Sequence, residues 1–216
     1  MTISKKQTKG ECAKCFELVA KKSMAKHLEK CFTDEKGESA FHLFIGGPRK
    51  QFWMHVALKE TATLQDLDQL LRDEWVECCG HLSLFRTGAW NYVNYEEDLL
   101  PQDKHMKEGK AAEILSPGME FDYEYDFGTT TYVTIKVLGK IKTGSNQKAV
   151  VLAQNEMPDA VCDMCGAEAT QTVADISNET FCEKCSEKID EDEKPLLPLV
   201  NSPRTGQCGY IGEQLI

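Results

Sequence analysis

Long apolar runs are missing from this 216-residue chain, and so is any excess of positive charge. A membrane helix needs about 20 consecutive apolar residues, and no stretch approaches that length. No charged-then-apolar leader opens the chain either, so a soluble, cytoplasmic protein with no membrane partner is expected. With 35 acidic against 25 basic side chains the formal charge is -10, which argues against a surface coated throughout for nucleic acid. Phosphate-cradling motifs are absent too. Gly46-Gly47-Pro48 is too short and wrongly placed for one, and Asp126-Phe127-Gly128 lacks the Gly-rich loop, strand lysine and His-Arg-Asp loop that accompany such a triplet in kinases.

What the chain has in plenty is cysteine, with 10 residues. Secreted disulfide scaffolds are usually shorter and depend on bridges because their cores are small. Here 41% of residues are hydrophobic, enough for one ordinary core with metal-held appendages. Two sets of residues carry zinc-ligand spacing. Cys12-x2-Cys15 precedes His27-x3-Cys31 near the front, and Cys162-x2-Cys165 precedes Cys182-x2-Cys185 near the back. A Cys-x-x-Cys turn grips one side of a metal ion and a second pair completes a tetrahedron, so two structural Zn2+ ions are expected.

The front set reads as a finger whose last ligand is cysteine. His27 and Cys31 share one side of a helix, Ser23 is placed as its N-cap, and Val19 and Met24 as its minimal apolar core. The segment 1–31 holds eight lysines against Glu11, Glu17 and Glu29, or +5, which leaves -15 for the remainder. Lys22, Lys26 and Lys30, spaced four apart, could meet phosphates from one helical face. One finger covers about three base pairs, so it would read little sequence alone. A solvated lysine-rich terminus, or a zinc-stapled protein-contact module, explains the same residues.

Between about 39 and 156 the pattern is α+β. Strands are expected at 41–45, 52–58, 83–87, 119–127, 130–139 and 148–153. A helix begins at Thr63 with Asp66 at capping-box distance, and Leu64, Leu67, Leu71, Trp75 and Cys78 mark its buried stripe. The expected fold is a compact α+β domain of mainly antiparallel sheet with one main helix. It is flanked by a Cys-Cys-His-Cys finger (1–34) and a four-cysteine zinc ribbon (159–190), with a Pro/Gly-rich tail (191–216).

Within this segment "TLQDLDQLLRDEWVECCGHLSLF" and "FDYEYDFGTTTYVTIKVL" resemble the plasmid pRiA4b ORF-three-like family, also described as mobile-element passenger proteins. Cys79-Gly80-His81-Leu82 and Tyr125-Asp126-Phe127-Gly128 carry the likeness together. The end motifs and the tail "LPLVNSPRTGQCGYIGE" resemble longer archaeal and bacterial members with zinc motifs at both ends. The resemblance implies a compact α+β domain and no activity.

Other residues invite chemistry and have plainer explanations. Phe121, Tyr123, Tyr125 and Phe127 alternate with Asp122, Glu124 and Asp126, which reads as a half-exposed strand with aromatics inside and acids in water, rather than as a cation site. His81 beside Cys78 and Cys79 suggests a nucleophile pair, yet no basic neighbour in sequence lowers a thiol pKa, so Cys78 is expected to fill core and His81 to satisfy a turn. Trp53, His55, Trp75 and Trp90 read as core or cleft lining. The linker inside the rear set bears only acidic charge, and Glu187–Glu193 reads as a solvated linker or helix end. The tail is expected to fold back over the body, with Cys208 a free thiol or a spare ligand of the rear set.

Together these features suggest a non-enzymatic zinc-binding adaptor that meets DNA, RNA or a ribonucleoprotein through its basic finger. A protein scaffold whose acidic body meets a basic partner is one alternative. An enzyme with a cleft around His81 and Asp122 or Asp126 is another.

Overall fold

A computed structural model describes residues 8–33, 36–47, 51–174, 177, 179–190 and 192–212. Lys5 and Lys6 of the basic segment, Pro48 of the Gly-Gly-Pro turn and Glu191 of the acidic stretch lie outside them. Strands β1 (Lys9–Cys12) and β2 (Leu18–Ala20) form a hairpin that runs directly into helix α1 (Lys21–Cys31). Then come β3 (Glu38–Gly46), β4 (Trp53–Lys59) and helix α2 (Leu64–Leu71), which continues as a π turn over Arg72–Val76. The body is completed by β5 (Ser83–Arg86), β6 (Asn91–Val93), β7 (Asp103–His105), a single turn α3 (Ala111–Ile114), β8 (Glu120–Tyr125), β9 (Thr131–Thr143) and β10 (Ala149–Asn155). The rear holds β11 (Gln171–Val173), β12 (Thr180–Phe181), α4 (Glu183–Ser186) and β13 (Leu196–Pro198). None of the helices among the described residues is long and apolar enough to cross a membrane.

The architecture is mixed α+β and mostly sheet. Ten strands run in the order β2-β1-β10-β4-β3-β9-β8-β5-β6-β7. All neighbours are antiparallel except β6 and β7, which are parallel. The front hairpin is not a separate bead, because β1 pairs with β10 in the same sheet. Every residue of β4 is buried, as a central strand covered on both faces requires. Met54, Val56 and Leu58 meet Leu64, Leu67, Leu71 and Trp75 on one face. On the other, Trp53 and Ala57 join Met24 and Leu28 of α1. Rear strands β12-β11-β13 make a second small sheet.

Thr63 starts α2 through the expected reciprocal cap, accepting from the Asp66 amide while the Asp66 carboxylate accepts from the Thr63 amide. Ser23, by contrast, caps nothing. The helix begins earlier, with Ala20 at the N-cap position and no side-chain cap. The strand turns straight into the helix there, and the Lys21 amide is satisfied by the Thr8 carbonyl at 3.1 Å. The main helix expected in the body is α2, and α1 is a second helix of comparable length packed on the opposite face.

The strand expected over 119–127 ends at Tyr125. Asp126 takes a left-handed φ of 64°, so the alternation reverses there. Phe121, Tyr123 and Tyr125 are buried, while Asp122 is exposed and Glu124 half-buried. Asp126 is buried instead of solvated, and Phe127 is exposed. Trp53, His55 and Trp75 are core residues, whereas Trp90 is exposed with Lys104 Nζ 3.9 Å from its ring centre.

The tail folds back as a strap. Ser202 Oγ donates to the Trp75 carbonyl, Asn201 and Asn155 exchange hydrogen bonds, and Tyr210 enters the main core. Arg204 is fully buried.

Candidate metal centres

Backbone turns place the cysteines of both end sets in the same way. In the front turn the Phe16 amide donates to the Cys12 carbonyl at 2.8 Å, and the Cys12 amide to the Glu17 carbonyl at 3.1 Å. In the rear turn the Gly166 amide donates to the Cys162 carbonyl at 2.9 Å, and the Cys162 amide to the Ala167 carbonyl at 2.7 Å. The residue after each second cysteine is left-handed, Phe16 with φ 61° and Gly166 with φ 76°. Glycine adopts that conformation freely and phenylalanine at a cost.

Helix α1 carries His27 and Cys31 to the front turn. Cys12 Sγ lies 3.9 Å from Cys31 Sγ, and Cys15 Sγ 3.3 Å from His27 Nε2. His27 Nδ1 stands 3.8 Å from a Glu17 carboxylate oxygen, a placement that suits a ring whose other nitrogen faces a metal. At the rear, Cys182 is the N-cap residue of α4 and Cys185 lies inside it, with Cys165 Sγ 3.6 Å from Cys182 Sγ. In each set the four ligand atoms lie within 4.8 Å of one another, so each can hold a metal ion. A tetrahedron with metal–sulfur bonds of about 2.3 Å has a sulfur–sulfur edge near 3.8 Å.

None of the ten cysteines is in a disulfide. Without a cation the thiols of each set diverge: hydrogen bonding at the Glu17 backbone lowers Cys15, and at Cys162 burial is outweighed by backbone hydrogen bonds, which bring it down to about 6. Burial and the neighbouring thiols push Cys31 up to about 11, and hydrogen bonding to Cys165 together with burial pushes Cys185 up to about 12.

A third set, Cys78, Cys79, His81 and Cys208, meets the same distance limit of 4.8 Å. Cys208 is thus neither a lone thiol nor a spare ligand of the rear set. His81 faces Cys208 Sγ at 3.3 Å through Nε2, and the tail's fold-back brings these side chains together. The local spacing Cys-Cys-Gly-His was the one signal in the sequence, and its partner lies 127 residues beyond His81.

Of the acids weighed for a cleft, Asp122 accepts from Thr134 Oγ1 and stays away from His81. Asp126 stands 3.7 Å from His81 Nε2 but is engaged by Arg204. Burial works to raise the Asp126 pKa, and Arg204 with the Gly128 and Thr129 amides outweighs it and holds the carboxyl below its ordinary range. An open groove lined by Asp66, Asp73, Glu74 and Lys148 includes neither His81 nor Asp126.

Lys22, Lys26 and Lys30 are exposed along α1, opposite its buried Met24 and Leu28. Phe16 and Leu18 are exposed nearby, at the tip and edge of the front turn.

No family model matches the chain, and no curated protein matches it. A similar solved structure is the crystal structure of a protein of unknown function, MM3350 from Methanosarcina mazei Go1. It has 19% identity and a TM-score of 0.47, covering 61% of this chain and 77% of that one.

Proposed function

We propose that the chain is a non-enzymatic zinc-binding adaptor, stapled by structural Zn2+ at its front and rear sets, that offers the outer side of α1 to an anionic partner such as DNA, RNA or a ribonucleoprotein. Zinc is the metal chosen because three thiolates with one imidazole, or four thiolates, in a closed tetrahedral set suit it, and a closed set leaves no open position for catalysis. The observation that carries the partner assignment is the row Lys22, Lys26 and Lys30, all exposed on the side of α1 turned from the core. Lysines so placed attract phosphates without reading sequence.

The test is a salt titration of binding to a duplex DNA and to a single-stranded RNA. Replacing all three lysines by glutamine should weaken binding to every sequence and reduce the salt slope by about 0.9 per lost duplex contact, or about 0.7 on single strands. Equal binding by the variant and the parent across the titration would reject the phosphate assignment. Phe16, 70% exposed, and Leu18, 47% exposed, favour a second reading in which the finger docks a protein partner. That reading predicts loss of a protein complex on Phe16→Ser with nucleic-acid binding unaltered.

A further inference from the structure

We propose that Cys78, Cys79, His81 and Cys208 form a third zinc site, a latch that ties the tail strap to the central domain. Cys79 Sγ lies 3.9 Å from Cys208 Sγ and His81 Nε2 lies 3.3 Å from Cys208 Sγ. The front set shows the same pair of separations, 3.9 Å between sulfurs and 3.3 Å from sulfur to Nε2. These are tetrahedron edges, too long for a disulfide and close to the edge of about 3.8 Å that zinc–thiolate bonds impose.

Cys78, Cys79 and His81 sit on a tight loop just after the π turn, with Gly80 left-handed at φ 71° and its amide donating to Glu77. Arg72 fixes the far side of that loop by donating to the His81 carbonyl at 2.8 Å. Cys208 is itself left-handed at φ 49°, an uncommon conformation for a residue with a Cβ. That turn brings its sulfur to the loop.

A dication with three thiolates and a neutral imidazole sums to -1, and the buried Arg204 guanidinium, shared with Asp126, brings its Nε to 3.4 Å from Cys78 Sγ. The basic neighbour that the sequence around Cys78 lacks is therefore supplied by the strap itself. Asp126, held by Arg204, lies 3.7 Å from the same His81 Nε2 that faces Cys208, so the ion pair borders the cluster. Four protein ligands close the shell, which makes the site structural, and it joins two stretches that no local sequence relation connects.

The latch does not depend on the reading of the end sites, and its test separates them. The full chain, loaded with zinc and kept in a non-thiol reductant, is treated with an alkylating reagent, and labelling is mapped by mass before and after chelation. Cys79 and Cys208 are both exposed, so without metal they are open to the reagent. With zinc bound they should label no faster than Cys15 and Cys165, also exposed, and should accelerate once the metal is removed. Zinc content should fall by one ion per chain in Cys208→Ser relative to the parent. Unchanged labelling of Cys79 and Cys208 on chelation, or an equal zinc count in Cys208→Ser, overturns the latch. If Cys208→Ser fails to fold, labelling of the parent decides alone. Guarded Cys79 and Cys208 beside unguarded Cys15 and Cys165 would reject the end sites and leave the latch standing.

Discussion

The Arg204 guanidinium donates to the Asp126 carboxylate across 78 residues of chain, and both side chains are buried. Arg204 also donates to the Thr129 carbonyl and Thr131 Oγ1, so one cation organises the turn that ends β8 and fastens the strap over it. Asp126→Asn keeps the shape and removes the carboxylate charge from this buried pair, which should cost up to about 3–5 kcal/mol because the guanidinium loses its carboxylate partner. Urea denaturation of Asp126→Asn, Arg204→Met and the double variant checks this. The double variant should lose less than the sum of the singles, and strict additivity would mean the two groups are not coupled.

Buried imidazoles set a pH dependence. His42 Nε2 and His55 Nδ1 share a hydrogen at 2.9 Å on the face of the sheet that carries α1. Burial pulls His42 down to about 4 and His55 to about 3, with the charges of His42 and Lys21 adding to the effect on His55. The unfolded chain takes up protons near 6.5 while the folded one resists. This contribution to stability is therefore present above about 6.5 and is lost as pH falls toward about 4, at up to about 1.4 kcal/mol per pH unit for each group. Stability measured between pH 6.5 and 5 should fall more steeply in the parent than in His42→Leu/His55→Leu. Acid release of metal is common to both proteins and cancels in the comparison.

Gly10 governs how the front hairpin joins the body. A Cβ there would strike the Gln154 carbonyl and the ring of Trp53, neither of which can step aside cheaply. Gly10→Ala should loosen the β1–β10 pairing, seen as red-shifted Trp53 fluorescence and faster amide exchange in β1. The front metal turn should persist, because its ligands come from the hairpin and α1. Unchanged exchange in β1 would show that the pairing tolerates the methyl group.

Removal of one rear ligand tests the independence of the small sheet. Structural zinc in small modules is worth an apparent ~10–16 kcal/mol at neutral pH. Cys182→Ser should therefore lower the zinc content by one ion and disorder β11 and β12, while Cys12 and Cys15 stay protected from alkylation. Retention of the full zinc count would remove Cys182 from the ligand set.

Leu71 probes the main core. It is fully buried beneath the sheet, so Leu71→Ala should cost about 2–5 kcal/mol in chemical denaturation with metal loaded. A loss below about 1 kcal/mol would mean that the core around α2 collapses to fill the space.

Much of this arrangement was written locally. The Cys-x-x-Cys turns, the His27–Cys31 pair on one helical turn and the Thr63–Asp66 cap each depend on residues a few positions apart. Such relations follow from the rise and period of the backbone, so their side chains meet wherever the element ends up. The buried stripe from Leu64 to Trp75 was legible for the same reason.

Contacts between distant segments decided the rest. Whether β1 pairs with β10 depends on which sheet edge is open after folding, and no feature within Lys9–Cys12 states that. Phe127 looked like the next inward aromatic, but Asp126 turns left-handed to meet Arg204 and reverses the pattern. Cys208 looked solitary because its neighbours Cys79 and His81 are more than a hundred residues away along the chain. The sequence by itself determined the local ligand pairs, the capped start of α2 and the apolar faces, since these are set by short-range geometry. Only the tertiary structure decided that the finger extends the central sheet and that the strap gathers Arg204 and Cys208 at one loop, because burying those apolar faces together chooses which distant residues become neighbours.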